Sequence, residues 1–227
     1  EDVMRAAKSV KDADQLFYQE LSALLQPMTD AMYSLEAGMG HTPLFNDSGD
    51  NVARSMLSLL AALREEFSIA PVNKNVFPDA GYYCLIHQGM KILMDAGEIA
   101  PDYMPGHGHC DGLSFELSVD QHPVFVNSGT GQYQGNLRGY FRSTRAHNTV
   151  VIEGEEQSEC WGEHRVARRI SQVSGDGGAD WIHGELVTAT GRQQERMILV
   201  DDQKVIVKDQ VTGSAQAYLH LTPDYEY

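Results

Sequence analysis

The hydrophobic pattern of this chain changes its period near residue 70. Before that point apolar side chains recur three and four residues apart, as in amphipathic helices, and they include Leu16, Leu21, Leu25, Met32, Met56, Leu59, Leu60 and Leu63. Beyond it, Leu113, Phe115, Leu117 and Val119 alternate with polar residues, which is typical of a β-strand. Because the two patterns occupy separate parts of the chain, the sequence predicts an α+β protein rather than an alternating βαβ fold.

Frequent short strand candidates follow the helical part. Turn signals separate them, as in an antiparallel β-sandwich, and they cover residues 82–86, 91–94, 113–119, 124–127, 149–153, 166–171, 181–189, 196–200 and 204–211. We place the boundary near residue 75, with terminal helices over 1–75 and an antiparallel β-sandwich over 76–227. Within the helical part, Pro27 is predicted to start a new helix, because proline suits a first turn.

Charge and apolar content exclude several kinds of partner. The chain has 17 Lys and Arg against 32 Asp and Glu, a formal net charge of −15, which argues against nucleic acid and anionic membranes. The longest apolar runs, such as 57–63, are far shorter than the roughly 20 residues that span a bilayer. Cys84, Cys110 and Cys160 lack CxxC spacing, so we expect no disulfide framework, although one bridge is compatible with them.

Two histidines two residues apart form the first candidate site. His107 and His109 would face the same side of an extended segment, and this spacing is common among metal ligands. The alternative is an exposed loop that contains two histidines. A metal site of the cupin type would need a glutamate three or four residues beyond the second histidine, and Asp111 and Glu116 do not meet that spacing.

A basic and aromatic cluster follows. Six of the 17 basic residues of this acidic chain lie between Arg138 and Arg169, and Tyr133, Tyr140 and His147 accompany them. A local excess of positive charge suits an anionic sugar. The candidate substrate-binding residues are therefore Arg138, Arg142 and Arg145. A solvated ribbon paired with the acidic residues 153, 155 and 156 explains the same charges.

Two polar turns are less specific. Asn127 follows the strand candidate over 124–126 and could present an amide oxygen there, but a glycine-rich turn explains the segment more simply. Asp47 and Asp50 could form a carboxylate pair. Helix capping and a turn are favoured for these two residues.

Four segments, taken in order, resemble the heparinase II/III family of polysaccharide lyases. They are 106–117 (GHGHCDGLSFEL), 124–131 (VFVNSGTG), 140–150 (YFRSTRAHNTV) and 157–162 (QSECWG). The resemblance implies that residues 1–67 are the C-terminal helices of an incomplete (α/α) toroid, which an antiparallel β-sandwich follows. On this basis we expect the chain to be a piece of a longer protein, with most of the toroid upstream and the sandwich incomplete at its C-terminus.

The same resemblance implies a function. The family cleaves acidic polysaccharides by β-elimination at uronic acids, so we expect a periplasmic or secreted polysaccharide lyase, or a fragment of one. The isolated chain is expected to be inactive, because further catalytic groups would lie on the upstream helices. The identity of the polymer, endo or exo action and the oligomeric state stay open.

The resemblance also implies roles for individual residues. His107 matches the catalytic histidine, and Tyr133 matches a tyrosine that lines the cleft, with Tyr140 as the second choice for that role. His109 and His147 match two ligands of a metal, usually zinc. The third ligand of the family is an aspartate, 18 residues after the second histidine, where this chain has Asn127. A neutral amide weakens zinc binding, and this departure favours the alternative function, a non-catalytic carbohydrate-binding or assembly protein of exopolysaccharide metabolism.

Overall fold

The computed structural model of the chain describes residues 1–49, 53–202 and 204–223. It divides into two compact units, Glu1–Ala37 with Asp50–Lys74, and Gly38–Gly49 with Asn75–Tyr227. The segment 38–49 therefore belongs with the β-strands, although helical segments flank it in the sequence.

The first unit is helical. Its elements are α1 (Asp2–Val10), α2 (Gln15–Glu36) and α3 (Met56–Phe67). The side chains of Asp14 and Ser55 accept hydrogen bonds from backbone N–H groups in the first turns of α2 and α3, which stabilises both helix starts. The apolar faces of the three helices meet at a small core formed by Met4, Leu25 and Leu63.

Pro27 lies in the interior of α2, and the helix continues through it. The prediction that Pro27 starts a new helix is therefore wrong. A proline removes one backbone donor, and the other turns of this 22-residue helix keep their hydrogen bonds and packing. Close to the proline, the hydroxyl of Thr29 donates an additional bond to the carbonyl of Leu25 at 2.6 Å.

The second unit begins with a five-stranded antiparallel sheet. Its strands are β1 (Val76–Phe77), β2 (Tyr82–His87), β3 (Met90–Asp95), β4 (Phe115–Val119) and β5 (His122–Phe125). Each strand pairs with its neighbours in sequence, in the order β1-β2-β3-β4-β5. Short turns join β1 to β2, β2 to β3 and β4 to β5, whereas the longer segment 96–114 connects β3 to β4.

Polar residues on the outer face of β4 are buried under the segment 38–49. Glu116 accepts a hydrogen bond from the backbone N–H of Leu44 at 2.9 Å, and Ser118 donates to the carbonyl of Met39 at 2.5 Å. Both faces of β4 are therefore covered. These contacts hold the 38–49 segment, which contributes Asp47 to the site described below, against the sheet.

The remaining strands form two short pairs and a second sheet. They are β6 (Val150–Ile152), β7 (Cys160–Trp161), β8 (Arg165–Val166), β9 (Ser171–Gly177), β10 (Trp181–Val187), β11 (Gln193–Asp201), β12 (Lys204–Val211) and β13 (Ala215–Ala217). β7 pairs with β8, and β6 pairs with β13. The second sheet is antiparallel in the order β12-β11-β10-β9. The predicted strand over 166–171 is absent, because β8 ends at residue 166 and β9 begins at 171.

The main core lies between the two larger sheets. The first sheet and the turn before β4 supply Leu85, Ile92, Met94, Leu113 and Phe115, and the second sheet supplies Ile182, Leu186, Ile198 and Val200. All of these side chains are buried. The predicted fold class, helices followed by an antiparallel β-sandwich, is confirmed.

Candidate functional site

The carboxylate of Asp47 lies at the centre of a polar cluster in the second unit. Its Oδ2 accepts a hydrogen bond from Nδ1 of His107 at 2.9 Å, and its Oδ1 accepts one from Nε2 of His109 at 2.9 Å. Arg138 donates to Oδ2 at 2.8 Å and also pairs with Oδ1, to which the hydroxyl of Thr130 donates at 2.8 Å. One carboxylate thus joins two histidines, an arginine and a hydroxyl group.

The ionised carboxylate of Asp47 determines which ring nitrogen of each histidine carries a proton. Burial raises the pKa of Asp47, but the hydrogen bonds from its four partners together lower it by more. The pKa of Asp47 therefore lies well below the ordinary value of 3.8. The ionised carboxylate can only accept hydrogen bonds. It follows that His107 carries a proton on Nδ1 and His109 carries one on Nε2.

His107 faces solvent beside Tyr133. It ends a short 3₁₀ turn, Pro105–His107, and 52% of its side chain is exposed. Because Nδ1 donates to Asp47, Nε2 is the nitrogen that holds the lone pair when the ring is neutral. The hydroxyl of Tyr133 lies 3.4 Å from Nδ1 of His107, and the two rings stack with their centroids 5.9 Å apart. The structure therefore brings an exposed imidazole and an exposed phenol together at residues 107 and 133.

Further ring faces surround this pair. The Tyr133 ring is 4.7 Å from that of His164, centroid to centroid, and the guanidinium carbon of Arg138 lies 5.2 Å from the Tyr133 centroid. On the other side, a shallow apolar depression beside His107 is lined in part by Tyr103 and Met104, which are exposed. Aromatic and apolar faces of this kind suit the hydrophobic faces of sugar rings.

His109, Asp111 and His147 form a buried cluster that could hold a metal ion. One potential ligand atom from each residue lies within 4.8 Å of the others. In the described part of the chain, Nδ1 of His109 and Nδ1 of His147 are buried without a hydrogen-bond partner. Their Nε2 atoms are engaged, with Asp47 at 2.9 Å and with the carbonyl of Phe141 at 3.0 Å. Two oriented imidazoles and a carboxylate are a donor set typical of zinc sites.

Burial also keeps His147 in the form that binds metals. The pKa of His147 is lowered to about 4, chiefly because desolvation disfavours the imidazolium. Its ring lies 5.3 Å from that of His109, centroid to centroid. The two rings therefore lie close enough for one ion to contact a nitrogen of each.

Comparison with known proteins identifies the family of this chain. Residues 70–226 match the sequence pattern described as the heparinase II/III-like C-terminal domain. The chain belongs to the heparinase II/III-like family. No curated protein sequence matches it significantly.

Solved structures with the same fold are much longer than this chain. A mutant of the heparan sulfate lyase HepC from Pedobacter heparinus superposes with a TM-score of 0.71 at 17% identity, over 98% of this chain and 38% of that chain. A heparinase III structure gives a TM-score of 0.68 at 19% identity, over 93% of this chain and 38% of that chain. This chain therefore spans 38% of the length of these relatives, and the likeness concerns the fold. Among the described residues, no helix has the length and apolar character needed to cross a membrane.

Asn127, the predicted third metal ligand, is engaged elsewhere. Its Oδ1 accepts a hydrogen bond from the backbone N–H of Asn148 at 3.1 Å, and its Nδ2 lies 3.4 Å from the hydroxyl of Ser114. Asp111 stands beside the two histidines instead. Asp111, rather than Asn127, therefore supplies the oxygen atom of the candidate cluster.

Two of the three predicted substrate-binding arginines are buried. Arg138 pairs with Asp47, and the guanidinium of Arg142 donates to the carbonyls of Gly108 and Glu163 at 3.1 Å each. Less than 2% of either residue is exposed. Their charges are used within the protein, which corrects the prediction that they contact the substrate.

Arg145 and Tyr140 remain accessible. The guanidinium carbon of Arg145 lies 5.7 Å from the centroid of the Tyr140 ring, and both residues are exposed. The short helix α4 (Arg138–Phe141) and the 3₁₀ turn Thr144–Ala146 position them. They form a separate exposed pair, and the structure shows no contact between Tyr140 and His107.

Two residues of the candidate site are absent from the predicted set. The sequence favours helix capping and a turn for Asp47, and its partner in that interpretation, Asp50, lies outside the described residues. Asp111 does not fit cupin spacing. The signal for Asp111 was its position two residues after His109, in the series 107, 109 and 111.

Proposed function

We propose that this chain forms the sandwich side of the active site of a polysaccharide lyase, which cleaves uronate-containing acidic polysaccharides by β-elimination. The observation that carries the proposal is the contact between Nδ1 of His107 and the carboxylate of Asp47. Since ionised Asp47 accepts the proton of Nδ1 at 2.9 Å, the lone pair of Nε2 is available at an exposed position beside Tyr133.

The reaction needs a base and an acid. A base must remove the weakly acidic proton on C5 of the uronate, and an acid must protonate the departing O4. In the proposed reaction Nε2 of His107 accepts the C5 proton, and the hydroxyl of Tyr133 donates to O4. Asp47 stabilises the imidazolium that forms, because its carboxylate is ionised and already bonded to the ring.

Charge on the substrate requires cationic partners. The exposed guanidinium of Arg145, stacked on Tyr140, is the arginine of the predicted set that can contact a sugar carboxylate. The heparinase resemblance implies further neutralising and catalytic groups on toroid helices. In the proposal, α1 to α3 are the last of those helices.

A zinc ion is the metal that best fits His109, Asp111 and His147. When bound, it would supply positive charge and hold the 107–111 segment to the loop before β6. The two buried, unpartnered Nδ1 atoms support this assignment. His107 is not among these three residues, so in the proposal the metal braces the site.

The substrate class and location follow from the relatives. Two structures with this fold are named heparan sulfate lyase and heparinase III, which supports a glycosaminoglycan or a related uronate polymer as the substrate. Such polymers lie outside the cytoplasm, and we place the protein in the periplasm or the extracellular space.

The test uses the longest natural form of the protein that contains this chain, because the chain spans 38% of its structural relatives. It is incubated with heparan sulfate, alginate and bacterial exopolysaccharides while the ultraviolet absorbance of the unsaturated C4=C5 product is followed. The expected result is product from at least one polymer. A His107→Ala variant should lose at least about 10²-fold in kcat with little change in polymer affinity.

A matched control is His122→Ala, which alters another exposed histidine whose Nδ1 contacts a backbone carbonyl. Its rate should equal that of the unchanged protein. Saturable binding of a polymer without any unsaturated product would contradict the lyase proposal and support the alternative, a carbohydrate-binding or assembly protein.

A further inference from the structure

We propose that Cys110 and Cys160 form a disulfide that fastens the histidine-bearing segment to the β7–β8 hairpin. Their sulfur atoms lie 3.7 Å apart, although the residues are 50 positions apart in the sequence. A disulfide bond requires a separation of about 2.05 Å, so the two sulfur atoms must move closer together by about 1.7 Å.

The backbone around both residues is already held in place. The N–H of Cys110 donates to the carbonyl of Arg142 at 3.0 Å, and its thiol lies 3.3 Å from the carbonyl of Ser158. Cys160 begins β7, and the N–H of its neighbour Glu159 donates to the carbonyl of Arg168 at 2.7 Å, while the carbonyl of Glu159 accepts from the N–H of Ala167 at 2.9 Å. Bond formation therefore needs adjustment of side chains rather than refolding.

The two thiols differ in access, which sets the order of the chemistry. Cys110 is buried, whereas Cys160 is partly exposed. The hydrogen bond with Cys110, together with the positive charge of Arg142, lowers the pKa of Cys160. Cys160 is therefore the thiol that reacts first with an external oxidant.

The oxidant is a small disulfide such as oxidised glutathione. The Cys160 thiolate attacks one of its sulfurs, which forms a mixed disulfide and releases one glutathione thiolate. Cys110 then attacks the Cys160 sulfur, which closes the protein disulfide and releases the second glutathione. The two thiol protons and two electrons of the protein end on two molecules of reduced glutathione.

The proposed bond would join two segments of the candidate site. Cys110 lies between His109 and Asp111, three residues after His107, which ends the 3₁₀ turn. The hairpin that contains Cys160 also carries His164, whose ring packs on Tyr133 at 4.7 Å. The bond would join the segment that holds the candidate metal ligands to the segment that supports Tyr133, and it would close a loop that includes Arg138 and His147.

Cys84 provides an internal control. It lies on β2, opposite Leu93 of β3, and it is buried. Burial raises the pKa of its thiol to about 11. Oxidation of an unfolded chain would involve all three cysteines. The proposed bond forms in the folded chain and leaves Cys84 as a thiol.

The experiment oxidises the reduced, folded chain with oxidised glutathione and blocks the remaining thiols with iodoacetamide in denaturant. A digest without reduction is then analysed by mass spectrometry. The expected result is one cross-linked peptide pair that contains residues 110 and 160, with alkylated Cys84. Before alkylation, the intact oxidised protein should be 2 mass units lighter than its reduced form. Alkylation of both residues 110 and 160, a stable glutathione adduct or a bridge to Cys84 would overturn the proposal.

Thermal unfolding gives a second readout that does not depend on enzymatic activity. Oxidation should raise the Tm of the unchanged protein by several degrees, because the bridge closes a long loop. The same treatment should leave the Tm of Cys160→Ser unchanged, while Cys84→Ser should still gain the bridge and the increase. An equal Tm shift in Cys160→Ser would show that the stabilisation comes from another source and would contradict the proposal.

Discussion

The carboxylate of Asp47 accepts a hydrogen bond from Nδ1 of His107 at 2.9 Å, across 60 residues of sequence. The same carboxylate binds His109 and the buried guanidinium of Arg138. Asp47 thus determines the tautomer of an exposed histidine and the orientation of a buried one. It connects the proposed chemistry at His107 with the candidate metal cluster.

Replacement of Asp47 by asparagine should lower kcat about 10- to 100-fold with little change in KM. Asparagine keeps the shape but removes the charge that holds the Nδ1 proton of His107 and stabilises the imidazolium. The measurement is the initial rate of unsaturated product formation by the longest natural form of the protein, with far-ultraviolet circular dichroism to confirm folding. Asp180→Asn, at an exposed turn, is the matched control and should retain full activity. A folded Asp47→Asn enzyme with unchanged kcat would refute the role of Asp47.

Local patterns in the sequence predicted much of this arrangement. Helical and alternating periods separated the helices from the sandwich, and the motif series brought His107, His109 and His147 into one region. The association of His107 with Tyr133 was also expected, and the structure places them in contact.

The remaining features depend on contacts that no local pattern reports. Asp47 reaches the histidines only because the 38–49 segment packs on β4 through Leu44 and Met39. The number of basic residues in a segment does not indicate whether Arg142 is buried. The same sequence is compatible with arginines that bind a sugar and with arginines that donate to backbone carbonyls. A local rule predicts a helix start at Pro27, but the 22-residue helix α2 continues through this position despite the missing donor.

The identity of the third metal ligand can be tested by a pair of substitutions. Asp111→Asn should weaken zinc binding by at least about tenfold, since it removes the carboxylate next to His109 and His147. Asn127→Asp should not strengthen zinc binding, because the side-chain oxygen at that position faces the N–H of Asn148. Zinc affinity would be measured by competition with a chromophoric chelator. Stronger binding by Asn127→Asp, with no loss in Asp111→Asn, would show that residue 127 is the ligand.

The two kinds of arginine should respond differently to removal. Arg142→Ala should reduce the free energy of unfolding by about 3 kcal/mol, because it leaves buried carbonyls without their charged donor. Arg145→Ala should change that free energy by less than about 0.5 kcal/mol, as is usual for an exposed residue, but should raise KM several-fold. Urea denaturation and steady-state kinetics separate the effects. A stable Arg142→Ala variant with a higher KM would restore the original substrate-binding assignment.

The helical unit should lose stability in acid through Asp30. This carboxylate accepts hydrogen bonds from the N–H of Val72 at 2.9 Å and from Gln26 at 2.7 Å, and it pairs with Lys74 at 3.4 Å. Burial raises the pKa of Asp30, but these contacts lower it below the ordinary 3.8 in the folded state. The folded protein therefore binds the proton less readily than the unfolded chain. The resulting stability is present above pH 4 and is lost as the pH falls through the unfolded and then the folded pKa.

Urea denaturation at several pH values, followed by the helical circular dichroism signal, measures this effect. Asp30→Asn should lower the midpoint at pH 7 and flatten its decline between about pH 5 and pH 3, because the ionisable partner of Lys74 is gone. Asp12→Asn, on the exposed turn between α1 and α2, should keep the pH profile of the unchanged protein. A decline in Asp30→Asn as steep as that of the unchanged chain would assign the acid sensitivity to other groups, since the variant has no carboxyl group left at this position to titrate.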